Sequence, residues 1–326
     1  MKNNLTQNNV TESNVTQVNS SHFVADCSDW SEIVDAVDLK AKPESALYQV
    51  WKGLRRNPLF FISAAILLLL LMVAFFPNLF TSASPTRCLI DESKLSPGEG
   101  GHVLGTTLLG CDLYARLIFG AQTSLAIGFF SALISVGVGC VMGALAGYLG
   151  GWVDAVISRL IEVFFAVPLI LGAVAILQIL RDVESIWKMI LVISIFGWTT
   201  TARLMRSSVL EQKNKEFVTA AKSIGVSRVG ILFKHVFPNA ISPIIATATV
   251  SMGVFIVADA GLTFLGLGMG SSTVSWGYDI ANAQSQLQVT PSLLLFPSTA
   301  LAITVLSFIF MGDAISDAID PKRRQR

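Results

Sequence analysis

The residues best suited to metal binding or nucleophilic chemistry are four cysteines and three histidines. The histidines, at positions 22, 102 and 235, lie far apart, and none has the spacing of metal ligands. Two of the cysteines, Cys88 and Cys111, fall in one segment that we expect outside the membrane. An external compartment permits disulfides, so a disulfide and two free thiols are both compatible with the sequence.

No pattern for hydrolysing ATP or an ester is present in the sequence. A phosphate-binding loop needs a Gly-Lys pair, and the sequence has no Gly-Lys dipeptide. The Gly-x-Ser-x-Gly elbow of serine hydrolases is missing as well. We therefore predict a protein that is not an enzyme, with no catalytic residues, no metal site and no cofactor of its own.

Asp259 is the one charged residue between Lys234 and Asp279. Ionisable groups at membrane depth are costly and often line a transport pathway. Asp259 also lies towards the outer end of an apolar run, where a carboxylate at the membrane interface is equally reasonable. The sequence leaves both positions open.

Helices must position these residues, because the composition is that of an integral membrane protein. Hydrophobic residues make up 52% of the chain and charged residues 14%, against about 25% charged in soluble domains. A bilayer crossing needs about 20 apolar helical residues. The charge-free runs are Leu59–Phe76, Leu117–Val153, Val163–Leu180, Met189–Ala202, Ile241–Ala258 and Leu293–Met311. We therefore predict an all-α integral membrane protein with six transmembrane helices, although the fourth run is short enough for a re-entrant or interfacial segment.

The positions of the positive charges predict the orientation. Of the 23 Lys and Arg residues, 18 lie in segments 1–58, 150–160, 203–240 and 312–326. Lys and Arg collect on the cytoplasmic side of short loops, so both termini are predicted inside. The net charge of +1 gives no reason to expect a nucleic acid partner.

The domain organisation follows from the same runs. We expect a disordered cytoplasmic tail at 1–43, an interfacial amphipathic helix at 44–57, a six-helix transmembrane domain at 58–320 with an outside loop at 78–116, and a basic cytoplasmic tail at 321–326. The amphipathic helix, which would contact membrane lipid, rests on the helical spacing of Leu47, Val50, Trp51 and Leu54. A solvated linker is the alternative.

The second run carries small residues at every fourth position. They are Ser131, Ser135, Gly139, Gly143, Gly147 and Gly151. Residues four apart share one helix face, and small residues allow membrane helices to approach closely. The stripe therefore predicts a packing surface, against a helix of this chain or of another subunit.

The inside loop 203–240 carries seven Lys and Arg residues against two Glu residues. Its pattern predicts one helix over 216–224 that stops at Gly225, because glycine readily takes the left-handed conformation that ends helices. A second helix is predicted from about Ser227 to Val236, stopping before Pro238. Two short helices around a glycine turn would form a compact, partly apolar unit that a soluble partner could grip.

This loop resembles the signature of bacterial ABC-importer permeases. Ala220, Ala221, Gly225 and Pro238 stand at the family's spacing, whereas Thr219 replaces the family's Glu. The resemblance implies that the ATPase-coupling residues are Thr219, Ala220, Ala221, Gly225, His235 and Pro238, and that 203–240 is the coupling loop.

The resemblance extends over nearly the whole chain after residue 45. The sequence His-Val-Phe-Pro-Asn at 235–239 and the segments 104–106, 116–121, 146–151, 262–268 and 312–321 resemble "C"-type permeases of the dipeptide, oligopeptide and nickel branch. Thr107 and Cys111 depart from the residues usual in that branch. The resemblance implies a multi-pass protein of the bacterial cytoplasmic membrane that forms a translocation path for di- or oligopeptides.

The same resemblance implies a set of partners. They are a second homologous permease subunit, two cytoplasmic ATPases that bind the ATP, and an external solute-binding protein. A nickel or metal-chelate importer is the alternative within this class. A self-sufficient secondary transporter is a remote one, because such proteins have buried charge pairs and interrupted helices and only Asp259 fits.

Overall fold

The computed structural model describes residues 46–270 and 273–319, and the predicted tails at 1–43 and 321–326 lie outside that range. Every element in the described chain is helical apart from isolated bridges in one loop. The α-helices are α1 (Ala46–Leu54), α2 (Pro58–Phe75), α3 (Pro77–Phe80), α4 (Leu113–Leu149), α5 (Gly151–Ala166), α6 (Leu169–Ile179), α7 (Ile186–Gln212), α8 (Glu216–Ser223), α9 (Arg228–Ile231), α10 (Phe237–Ala240), α11 (Ser242–Leu262), α12 (Trp276–Ala283) and α13 (Ser292–Ile319). The all-α prediction is confirmed.

In the described chain, four helical segments are long and apolar enough to cross a membrane, or five if one bent pair counts as a single span. They are α2, α4, the segment Ser242–Leu267, α13, and the pair α5 and α6. The predicted fourth span lies inside α7, which has 27 residues but carries Lys188 near its start and two arginines in its second half. These charges reduce its hydropathy, so α7 does not stand out by composition alone.

The third predicted span, Val163–Leu180, is not one straight helix. It breaks at Val167-Pro168, where α5 and α6 meet at an angle of 82°. Val167 has extended backbone angles, φ −90° and ψ 116°, because a residue that precedes proline is disfavoured in the helical region. A charge-free run does not reveal this bend.

The second predicted span ends earlier than the run of uncharged residues. Helix α4 stops at Leu149, because Gly150 and Gly151 take positive φ values of 68° and 57°. Gly151 therefore begins α5 and does not continue the stripe of small residues on α4. With 37 residues, α4 is about 55 Å long, which exceeds the thickness of a bilayer core.

The rest of the stripe packs against α7 of the same chain. A methyl group on Gly139 would lie 2.8 Å from the Trp198 carbonyl oxygen, and one on Gly147 would lie 2.8 Å from that of Arg206. At the N-terminal end of the stripe, the Ser194 hydroxyl on α7 donates to the Ser131 carbonyl oxygen at 3.3 Å. The structure thus answers the question that the sequence left open: the partner of these glycines is an internal helix.

Helices α1 and α2 lie at the edge of this bundle. A methyl group on Gly53 of α1 would lie 3.2 Å from Cβ of Ala318, so α1 packs on the end of α13. Trp51 is half exposed, whereas the side chain of Leu47 lies outside the described part. Much of the apolar surface of α2, including Leu68 and Phe75, is exposed, as expected for a helix facing lipid.

Candidate coupling site

The glycine turn of the coupling loop is defined by its hydrogen bonds. Gly225 has φ +82°, and its N–H donates to the Lys222 carbonyl oxygen at 3.0 Å. The next N–H, of Val226, donates to the Ala221 carbonyl oxygen at 3.1 Å. This pair of bonds is the Schellman arrangement that ends helices at a left-handed residue. No atom lies within 4 Å of a Cβ built on Gly225, so the backbone angle, not crowding, requires glycine there.

The second half of the unit does not stop before Pro238, contrary to the sequence prediction. Ser227 caps α9 through a 3.1 Å bond from the Gly230 N–H. A π-helical turn follows at Leu232–Val236, and α10 carries Pro238 in its first turn. Proline lacks an N–H and is tolerated at the start of a helix, so the wider turn lets the chain continue through it. His235 is half-buried, and its carbonyl oxygen accepts a 2.6 Å bond from Asn239 Nδ2.

One side of this α8–α10 unit (216–240) is buried against the bundle. Val218 and Ala221 of α8 belong to a core cluster with Met205 and Val209 of α7 and Cys140 of α4. Ala221 is 4% exposed within this chain. Ala221 therefore packs within this chain, and its role in ATPase coupling stays a prediction.

The other side of the α8–α10 unit is exposed and partly apolar. Thr219 and Ala220 are exposed, and four large apolar side chains also face outward. These are Phe217, Ile224, Val229 and Phe233. Exposed apolar clusters of this kind mark interaction surfaces.

Polar contacts join the α8–α10 unit to α4 and tie the neighbouring helix ends to one another. The Tyr148 hydroxyl at the end of α4 donates to the Arg228 carbonyl oxygen at 2.7 Å, and Lys213 Nζ donates to the Gly147 carbonyl oxygen at 2.7 Å. Arg206 of α7 makes two hydrogen bonds to the Asp154 carboxylate of α5, at 2.5 and 2.6 Å. The unit itself is therefore bonded to α4, and also to α7 through the Ser208 hydroxyl, which donates to the Ala240 carbonyl oxygen at 2.8 Å. Helix α5 is linked to the unit only through α7. The single sequence gave no signal for these pairings.

The loop between α3 and α4 is cross-linked at the opposite end of the molecule. Cys88 and Cys111 are joined by a disulfide. His102 Nδ1 lies 2.6 Å from Asp112 Oδ2, and its Nε2 lies 3.3 Å from Glu92 Oε2. The hydrogen bond with Asp112 raises the pKa of His102 above its ordinary value, against partial burial, which lowers it. Asp112 also accepts from the Ala115 N–H at 2.7 Å, so this cluster orders the start of α4.

Two further acidic residues are buried. Asp279 of α12 forms an ion pair with Arg116 of α4 at 2.6 Å, and both side chains are nearly inaccessible. Asp259 is 1% exposed in α11, and its Oδ1 has no hydrogen-bond partner among the described residues. Asp259 is thus enclosed by protein and does not lie on the surface of the chain. A role in the pathway stays a prediction.

The comparisons with known proteins give the chain its family. Residues 139–325 match the family described as "Binding-protein-dependent transport system inner membrane component". The chain belongs to this family. Residues 45–97 match the "N-terminal TM domain of oligopeptide transport permease C", which confirms the resemblance to "C"-type permeases.

Curated relatives agree along most of their length. The chain is 34% identical to the dipeptide transport system permease protein DppC of Alkalihalophilus pseudofirmus over 276 residues, covering 85% of this chain and 90% of that protein. It is 36% identical over 276 residues to the glutathione transport system permease protein GsiD of Escherichia coli, covering 84% and 90%. The protein is therefore a multi-pass inner-membrane permease subunit of an ABC importer.

A solved structure shares the fold. An inward-facing form of the MetNI methionine ABC transporter superposes with a TM-score of 0.52 at 19% identity, covering 63% of this chain and 96% of that one. At this identity the likeness concerns the fold alone.

Proposed function

We propose that this permease carries di- or oligopeptides, as the names of its relatives suggest for them. Glutathione is itself a tripeptide, so the DppC and GsiD names point to one solute class: short, zwitterionic peptides with a free carboxylate. The transport path would form between this chain and a second, homologous permease subunit. An external binding protein would deliver the solute, and two cytoplasmic ATPases would bind and hydrolyse ATP.

The exposed apolar surface of the α8–α10 unit carries the coupling proposal. Its inner side is packed into the core with α7, and its outer side presents Phe217, Ile224, Val229 and Phe233. An ATPase that gripped this surface would act on α4 through Tyr148 and on α7 through the shared core, and the Arg206–Asp154 pair would carry the movement from α7 to α5. Movement of the ATPases would in this way open the path alternately to the two sides.

We also propose six spans with both termini inside. The span that is added to the five recognised by length and composition is α7, the fourth along the chain. Its 27 residues reach about 40 Å, which is more than the thickness of a bilayer core. A contact between the predicted outside loops 78–116 and 264–291 supports this topology: Arg116 from the first bonds to Asp279 from the second, 163 positions away. Reporters fused after residue 95 and after residue 220 test it, since activity outside the cell is expected only for the fusion after residue 95.

The coupling proposal has a matched test. Val229 on the α8–α10 unit is 66% exposed, and Val103 in the loop between α3 and α4 is 64% exposed. Val229→Asp adds a charge to the proposed ATPase contact, where burying it unpaired costs several kcal/mol, whereas Val103→Asp adds the same charge at the opposite end. We expect Val229→Asp to lose co-purifying ATPase and peptide uptake while Val103→Asp retains its ATPases. Full ATPase retention in Val229→Asp would contradict the assignment.

A further inference from the structure

A polar cavity lies between the end of α6, the start of α7, residues 263–270 and α12. Its volume is about 550 Å³, within the range of pockets that hold small molecules. The polar lining includes Gln178, Arg181, Glu184, Lys188, Tyr278 and Asn282. In the proposed topology these residues face the outside, where a delivered solute would enter.

Lys188 is the unusual member of this lining. It is only 6% exposed, yet its side-chain ammonium makes no ion pair or hydrogen bond with any residue in the described ranges 46–270 and 273–319. Burying an unpaired ammonium is costly, and proteins normally provide it with an anion. A lysine kept in this position is accounted for if its anion arrives with a ligand.

The other charged residues of the lining determine the net charge of the cavity. Arg181 is a second cation, and Glu184 is the one acid among the described lining residues. The cavity therefore has an excess of positive charge, which disfavours a free metal cation. The carboxylate of a ligand would balance this excess.

The opposite wall brings backbone and a free hydroxyl close to the ligand space. Gly266 and Gly270 have φ values of +80° and +82° and carry no side chain that would fill the cavity. Thr263 also lines the cavity, and its Oγ1 has no hydrogen-bond partner within the described chain. The site thus offers cations on one wall and uncommitted polar groups on the other.

We propose that this cavity is a solute subsite in which Lys188 and Arg181 bind the free carboxylate of the transported peptide. Charge-assisted bonds to a carboxylate are the strong ones in proteins, and two cations that line one cavity can hold both oxygens. The inference rests on the proposed peptide transport, and it assigns to this chain a selection step separate from that of the binding protein.

The test uses the complete membrane complex in nanodiscs, without binding protein and without ATP. The probes are dialanine, glutathione and the C-terminal amide of dialanine, and equilibrium dialysis gives Kd. Lys188→Met removes the charge and keeps the length of the side chain, and Lys188→Arg keeps the charge. Arg87→Gln removes an exposed cation that does not line the cavity and serves as the control.

We expect Lys188→Met to raise Kd for a peptide with a free carboxylate by about 10- to 100-fold, the usual range for losing a bond to a charged group. Lys188→Arg and Arg87→Gln should stay near wild type, and the amide should bind weakly to wild type and Lys188→Met alike. Equal losses for peptide and amide, or wild-type binding that ignores the carboxylate, would overturn the proposal.

Uptake into proteoliposomes with binding protein and ATP distinguishes a failure of the proposed subsite from a failure of the proposed peptide transport. Peptide uptake by wild type, combined with carboxylate-independent binding, refutes the subsite and leaves peptide transport standing. If wild type takes up neither peptide, the proposed function fails, and the subsite fails with it.

Discussion

Replacing Gly143 with alanine adds one methyl group to the tightest part of the contact between α4 and α7. That methyl carbon would lie 2.8 Å from Cβ of Met205 and closer still to the Ala202 carbonyl oxygen. Separations under 3.0 Å are essentially never seen for real Cβ atoms, so the two helices must move apart. Overpacking of this kind costs about 1–3 kcal/mol.

Gly137 provides the matched control, because it lies on the same helix and a methyl group there would meet no atom within 4 Å. Both substitutions replace a helical glycine with alanine, which by itself favours the helix by about 1 kcal/mol. The difference between the two variants therefore isolates the contact with α7. We expect Gly143→Ala to be less stable than Gly137→Ala by about 1–3 kcal/mol, and Gly143→Leu to be less stable again.

Cys140 is a built-in reporter for this contact. It is a free, buried thiol in the same core cluster as Met205, and after Cys27→Ser the disulfide would occupy the only other cysteines. Labelling by a fluorescent maleimide during a thermal ramp in detergent then follows the opening of the α4–α7 contact. Labelling of Gly143→Ala should begin at a lower temperature than labelling of Gly137→Ala. Coincident curves would refute the assignment of the glycine stripe to α7.

Three other outcomes follow from the structure. Gly225→Val places a β-branched residue at φ +82°, a conformation that costs an L-residue about 1–2 kcal/mol. We expect the variant to reduce ATPase co-purification while membrane insertion stays normal. Full retention of the ATPases would contradict the role of the turn. Ala221→Asp buries a charge inside the chain, so it should lower the stability of the fold by a few kcal/mol. Ala220→Asp, at an exposed position, should change ATPase binding without a comparable loss of stability. Equal melting temperatures of the two variants would contradict this distinction. Because the pKa of His102 is raised, the stabilisation from its pairing with Asp112 is fully present below about pH 6.5 and is lost as pH rises through the raised pKa. Melting temperatures should therefore fall over this pH range in wild type and change less in His102→Gln. Identical pH profiles of the two proteins would exclude the effect.

Local backbone chemistry explains which elements could be predicted. The glycine at 225 ends α8 through bonds between residues no more than five positions apart, so the local sequence is sufficient to indicate the turn. The break at Val167-Pro168 was equally local, but a search for charge-free runs does not weigh the restriction that proline imposes on its neighbour. Similarly, Gly151 has the spacing of the α4 stripe but the wrong conformation, since two consecutive glycines end the helix before it.

Burial was much harder to predict than secondary structure. Ala220 and Ala221 are identical in type and adjacent in sequence, and only the packing of α8 decides that one is exposed and the other enclosed. Likewise, Asp259 could be recognised as a lone charge in an apolar run, but its enclosure by protein depends on which helices surround α11.

The sequence by itself determined the membrane class, the helical architecture and the family, because these depend on composition, on short-range backbone preferences and on motifs spread along the chain. Tertiary structure alone decided that the glycine stripe meets α7, that Arg116 meets Asp279, and that Lys188 is enclosed in a polar cavity. The physical reason is separation along the chain: the groups that meet in these contacts come from different helices and loops. No local preference fixes such distances, which follow only from the simultaneous packing of all the helices.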